Sequence, residues 1–206
     1  PKQYISDIIM LMDEQKIEKV VFFGTSLGGI VTMIMAKMYP ARVAGALLND
    51  IGPELDQKGL DRIADHVGQG RSFDTWAHAA RDMADSSRDI FPDFTLKDWI
   101  EFAKKVYRMN SSGRIKLDYD MKIAEPFDSK GGGSGAMWNA LENMKDIPTL
   151  ILRGELSDLF SERVAAQMLE KLDKGELVTI PRVGHAPTLE EPASLDAIHQ
   201  LLHRID

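Results

Sequence analysis

Ser26, His185 and three carboxylates, Asp50, Glu155 and Asp158, are the side chains whose types and order could support nucleophilic chemistry. Ser26 stands in Gly24-Thr25-Ser26-Leu27-Gly28, a G-x-S-x-G pattern. A serine hydroxyl is a poor nucleophile until a base takes its proton, and that base must be oriented by a third, acidic group. An apolar run precedes the pattern and a helix-like segment follows it, the strand–turn–helix context that exposes such a serine at the top of a sheet. The turn is expected to strain Ser26, with Gly24 and Gly28 lacking the Cβ atoms that would collide where strand and helix pass closest. It also aims the backbone N–H of Leu27 at the space above the hydroxyl, where an oxyanion would form.

His185 is the expected base. It lies in Arg182-Val183-Gly184-His185-Ala186-Pro187, after the last apolar run and before the final amphipathic stretch, at the same sheet edge as Ser26. His66 and His78 fall in the middle of the chain. His199 and His203 are four apart, a metal-ligand spacing, but Gln200-Leu201-Leu202 between them supplies no catalytic Glu, so they read as helix-surface residues. No metal and no cofactor is expected. All three candidate acids fall between Ser26 and His185, the order used on parallel sheets of this kind. Asp158 is preferred because its loop, Arg153-Gly154-Glu155-Leu156-Ser157-Asp158, gives it room to reach back to His185. Asp50 reads alternatively as a turn residue before Gly52-Pro53, and Glu155 as a solvated loop charge.

These groups need a sheet to hold them. The spacing of Ile5, Ile8, Ile9 and Met12 predicts an amphipathic helix over the first 15 residues. Val20 to Phe23 predicts a strand buried on both faces, and the helix after Ser26 ends at Pro40. Further strands are predicted over 43–48, 149–152 and 176–180, and helices over 161–172 and 192–205. That alternation points to an α/β fold with a mostly parallel sheet of about four strands. The segment from 53 to 145 breaks the rhythm. It shows helical stretches near 59–67, 72–84 and 96–109, no convincing strand, and all three tryptophans, Trp76, Trp99 and Trp138. The expected organisation is a core over 1–52, a helical insertion over 53–145 and a return to the core over 146–206. Gly131-Gly132-Gly133-Ser134-Gly135 has the composition of a flexible loop or of an engineered linker.

Composition narrows the setting. At 206 residues, 44% hydrophobic and 28% charged, the chain can bury one substantial core. A net charge of −7 argues against nucleic acid or an anionic membrane surface as partner. No apolar run reaches the ~18 residues of a membrane-spanning helix. The absence of cysteine excludes disulfides and thiolate chemistry, and a cytoplasmic location is the expectation. Oligomeric state is not legible.

Taken together, the motifs resemble the α/β-hydrolase fold family, in its form with a helical cap. Gly24-Thr25-Ser26-Leu27-Gly28-Gly29 is similar to that family's nucleophile elbow. Leu152-Arg153-Gly154 followed by Asp158 is similar to its acid loop. Gly184-His185-Ala186-Pro187, with Glu190-Glu191-Pro192 after it, is similar to its histidine loop. The resemblance implies a triad of Ser26, Asp158 and His185, with the Leu27 N–H as one oxyanion donor. It implies hydrolysis of carboxylic esters or lactones of small, partly apolar molecules, the cap's Trp, Phe and Met residues shaping the pocket. Carbon–carbon bond hydrolysis, cofactor-free perhydrolysis and non-catalytic binding of a small molecule occur within the same resemblance. A serine at the elbow argues against haloalkane and epoxide chemistry, for which relatives use a carboxylate. The resemblance also implies about four strands and a second oxyanion donor ahead of the elbow strand. With those missing, the chain is expected to be a fragment roughly 80–100 residues short of a whole hydrolase, taking strand–helix units of ordinary length, the alternative being a second chain that completes the sheet.

Overall fold

Apolar runs bracketed by turn residues become strands, and the amphipathic stretches between them become helices. The computed structural model describes residues 2–123 and 134–205. In chain order the elements are α1 (Lys2–Glu14), β1 (Val20–Thr25), α2 (Leu27–Met38), a 3-10 turn (Pro40–Arg42), β2 (Val43–Asn49), α3 (Gln57–His66), β3 (Ser72–Phe73) and α4 (Trp76–Ser87). They continue with α5 (Leu96–Val106), β4 (Tyr107–Met109), β5 (Ile115–Leu117), α6 (Ser134–Glu142), β6 (Thr149–Gly154), α7 (Glu162–Glu170), β7 (Gly175–Ile180) and α8 (Pro192–His203).

Four of the strands form one parallel sheet in the order β1-β2-β6-β7, as the strand–helix alternation requires. Thr25 pairs with Asn49, Asn49 with Leu152, and Gly154 with Ile180, so all four strands finish at the same edge. The two central strands are almost wholly buried, which their continuous apolar sequences reflect. β1 departs from the sequence reading. Among the described residues it pairs only with β2, so Val20 to Phe22 are half-buried and Phe23 is 45% exposed, rather than covered on both faces.

The chain divides into two compact units, one made of Pro1–Gly59 with Gly132–Asp206 and the other of Leu60–Gly131. In the first, α2 packs on β1, β2 and α6, while α7 and α8 cover β6 and β7. The apolar composition of α2 explains this double packing, since Val31, Met33, Met35 and Ala36 are all buried. Helix α6, which the sequence reading assigned to the insertion, belongs to this unit and brings Trp138 with it. Buried Ala140 and Leu141 supply its apolar side.

The second unit is not purely helical. Beside α4 and α5 it holds a three-stranded antiparallel sheet in the order β3-β5-β4. Strands of two or three residues carry too little alternation to register in a sequence. The turn between β4 and β5 is nonetheless written locally: Asn110 Oδ1 accepts from the N–H groups of Ser112 and Arg114, and Gly113 takes φ 75°. Consequently the helix predicted over 96–109 stops at Val106. Its start is fixed by a capping box between Thr95 and Asp98. Phe91, Phe94, Trp99 and Phe102 pack on one another in this unit, with ring centroids 4.5 to 6.4 Å apart.

Of the glycine-rich stretch 131–135, residues 131–133 lie outside the described residues, while Ser134 and Gly135 open α6. Among the described residues no helix is long and apolar enough to cross a membrane.

Candidate active site

Because β1 and β2 run in register, the residues that follow them emerge side by side at the sheet edge. Those residues are Ser26 and Asp50. Both leave the strand with positive φ, 50° for Ser26 and 54° for Asp50, the region in which a side-chain-bearing residue is strained. The Ser26 N–H donates to the Asn49 carbonyl at 3.2 Å, and the Asp50 N–H to the Leu152 carbonyl at 2.8 Å, so each turn is pinned to the neighbouring strand.

His185 joins them from the loop between β7 and α8. Its Nε2 lies 3.1 Å from Ser26 Oγ and its Nδ1 2.8 Å from Asp50 Oδ2. Asp50 is fully buried and accepts at both oxygens. Oδ1 accepts from the Gly154 N–H at 2.7 Å, and Oδ2 from the Ser157 hydroxyl at 2.6 Å as well as from His185. With the Gly154 N–H and the Ser157 hydroxyl donating to it, the Asp50 carboxylate acts as an acceptor, and the Nδ1–H of His185 donates to it as well. Nε2 is then the free acceptor, and Ser26 Oγ–H donates to it. The histidine side chain is only 8% exposed.

The carboxylate against His185 is therefore Asp50 and not Asp158, the residue expected from the sequence. The physical reason is proximity within the sheet. Asp50 already stands beside Ser26, and the loop after β6 closes around it as a set of donors rather than reaching over it as the acid. Asp158 is half-buried in that loop. Glu155, the third candidate, is exposed and its carboxylate accepts the Arg182 N–H at 2.7 Å.

Two residues to which the sequence reading gives no role complete the arrangement. Asn49, fully buried, donates from Nδ2 to Thr25 Oγ1 at 3.0 Å and to the Pro187 carbonyl at 2.8 Å, tying the elbow strand to the histidine loop. Ser157 supplies the hydroxyl on Asp50. A buried Asn within an apolar run was the signal available for the first, since such a group must be hydrogen-bonded. Nothing in the sequence pattern marks the second.

The glycines divide differently from expectation. A Cβ on Gly24 would come within 2.6 Å of the Gly28 carbonyl and the Gly29 nitrogen, all backbone. A Cβ on Gly29 would collide with the Ile51 side chain, whereas Gly28 has open space around it. The crowded pair is thus Gly24 and Gly29. Leu27 and Gly28 open α2, and helix geometry leaves their N–H groups without an intrahelical acceptor.

The model of the alpha/beta hydrolase family matches residues 3–197. The chain belongs to the alpha/beta hydrolase family. A solved alpha/beta hydrolase from Novosphingobium aromaticivorans is 48% identical and superposes with a TM-score of 0.94, over 100% of this chain and 72% of that one. The 3-hydroxybutyrate-oligomer hydrolase of Cupriavidus necator is 31% identical over 94% of this chain and 68% of its own length. The fold alone is shared with E-2-(acetamidomethylene)succinate hydrolase, at 21% identity and a TM-score of 0.77, over 98% of this chain and 73% of that one.

In this hydrolase the histidine loop is held by its own hydrogen-bonded knot. The Glu191 carboxylate accepts from the N–H and hydroxyl of Thr188 at 2.8 and 2.9 Å and from the Ser194 hydroxyl at 2.7 Å. Burial works to raise the pKa of Glu191, but the hydrogen bonds from Thr188 and Ser194 together outweigh it and hold the carboxyl below its usual range. The remaining histidines stand apart. His66, His78, His199 and His203 are exposed, and among the described residues no three metal-ligating side chains gather.

Proposed function

We propose that this hydrolase cleaves small carboxylic esters through an acyl-enzyme on Ser26. The reading is carried by the continuous hydrogen-bonded line from Ser26 Oγ through His185 to Asp50. Ser26 attacks the ester carbonyl while His185 Nε2 takes its proton. Asp50 keeps Nδ1 protonated and balances the charge of the imidazolium that forms. The Leu27 N–H stabilises the oxyanion. His185 returns the proton to the leaving alcohol, and water then repeats the sequence on the acyl-enzyme.

The substrate class rests on similarity. The relative from Cupriavidus necator acts on oligomers of 3-hydroxybutyrate, so short esters of hydroxy acids lead the list for this chain, with simple esters and lactones beside them. A small-molecule substrate in the cytoplasm is the setting proposed.

The test is a fluorophosphonate probe, with the labelled residue mapped by mass and His185→Ala as control. Labelling at Ser26 that is lost in the control, followed by turnover of p-nitrophenyl esters or of 3-hydroxybutyrate dimers, is the expected result. A folded protein that binds such esters without labelling or turnover would be a binding protein, and the reading would fail.

A further inference from the structure

Ser157 has a hydrogen-bonding arrangement that leaves its proton a single destination. Its Oγ accepts the N–H of Leu159 at 3.3 Å and of Phe160 at 3.1 Å. A hydroxyl has one proton and two lone pairs, so with both lone pairs engaged the proton points along the remaining short contact, 2.6 Å to Asp50 Oδ2. That is the same oxygen that accepts from His185 Nδ1. Gly154 holds the other oxygen through its N–H. Three donors thus fix a carboxylate that is wholly out of water and would otherwise be costly to keep ionised.

We propose that Ser157 is a positioning residue for the acid: its hydroxyl, polarised by the Leu159 and Phe160 N–H groups, holds Asp50 ionised and aimed at His185 throughout turnover. The loop after β6 accordingly contributes a proton donor to the acid in place of the acid itself. This rests on the esterase reading for its kinetic consequence but not for its geometric one. Without the hydroxyl, Oδ2 keeps His185 as its one remaining donor, and the carboxylate plane is free to rotate about the Gly154 contact. Alignment of the imidazole with Ser26 then degrades, a loss expected in kcat rather than in KM.

The test uses the full chain with Ser157→Ala, Ser157→Cys and Ser157→Thr. Kinetics with p-nitrophenyl acetate are read beside the low-field proton NMR resonance of His185 Nδ1–H at low temperature. A hydrogen bond to a charged group corresponds to roughly 10- to 100-fold in rate. The expected loss in Ser157→Ala is of that size in kcat, with KM within about twofold. The low-field resonance moves upfield in the same variant. Ser157→Cys, with a weaker donor, falls between, and Ser157→Thr returns to within about threefold of the parent. If the alanine variant does not fold, the cysteine and threonine variants decide by their order. A folded Ser157→Ala with unchanged kcat and an unmoved resonance would overturn the proposal, as would absence of the resonance from the parent. If the parent neither hydrolyses esters nor takes the probe at Ser26, the esterase reading fails alone. The shift of the resonance between parent and Ser157→Ala still decides the role of Ser157.

Discussion

Replacing Asp50 by Asn tests the assignment of the acid at the level of a single proton. The Gly154 N–H points at Oδ1, so the introduced amide would keep its oxygen there and turn its NH2 group toward His185 Nδ1. An NH2 group is a donor, and Nδ1 must then become an acceptor. The imidazole proton moves to Nε2 and faces Ser26, where a base is needed. A wrong tautomer of this kind removes about 10⁴-fold in kcat, or about 5.5 kcal/mol of transition-state stabilisation. Asp158→Asn leaves that tautomer alone, and its kcat is expected within about threefold of the parent. The assay is hydrolysis of p-nitrophenyl acetate together with the rate of fluorophosphonate labelling at Ser26, on samples matched for thermal melting. The reverse ranking would refute the reasoning: Asp158→Asn losing a thousandfold or more while Asp50→Asn keeps a tenth of the parent rate.

Three further outcomes follow from the elbow and the histidine loop. Gly24→Ala forces a methyl group onto backbone 2.6 Å away and is expected to cost about 2–3 kcal/mol in denaturant unfolding and to abolish labelling of Ser26. Gly28→Ala enters open space at the start of a helix and should leave the melting temperature equal to or above that of the parent. For Glu191, whose folded pKa lies below the unfolded value, the carboxylate contributes stability above the unfolded pKa near 4.5 and loses it as pH falls through the folded pKa. Glu191→Gln should therefore be less stable than the parent at pH 7, by about 1–2 kcal/mol, with the gap closing in acid; a constant gap across that range would contradict the assignment.

The sequence was most informative where pattern and chemistry coincide. Gly24-Thr25-Ser26-Leu27-Gly28 lies between an apolar strand and an apolar helix, and His185 follows the last strand, so pattern alone places both groups at one sheet edge. In sequence Asp50 reads equally as a turn residue ahead of Gly52-Pro53. Yet it interrupts the apolar run from Val43 to Ile51, and a carboxylate in such a run must be buried and partnered. Register was the missing quantity: only the pairing of Thr25 with Asn49 reveals that Ser26 and Asp50 are neighbours. Tertiary packing likewise decided what local pattern did not, in the removal of α6 and Trp138 from the insertion and in the crowding at Gly29 rather than Gly28.

The position of Asp50 directly after β2 also bears on how the site is put together. Thr25 and Asn49 are 24 residues apart and belong to one strand–helix–strand unit, whereas Asp50 and His185 are separated by 135 residues. Closing the longer loop costs about 1.5 kcal/mol more in chain entropy. Ser26 and Asp50 are thereby joined by a local crossover, and His185 arrives from a distance. The histidine is joined to them by long-range contacts, of Asn49 with Pro187, of Asp50 with His185 and of Ser26 with His185. Opening those contacts would separate the imidazole from two partners that stay in register at the ends of their own strands.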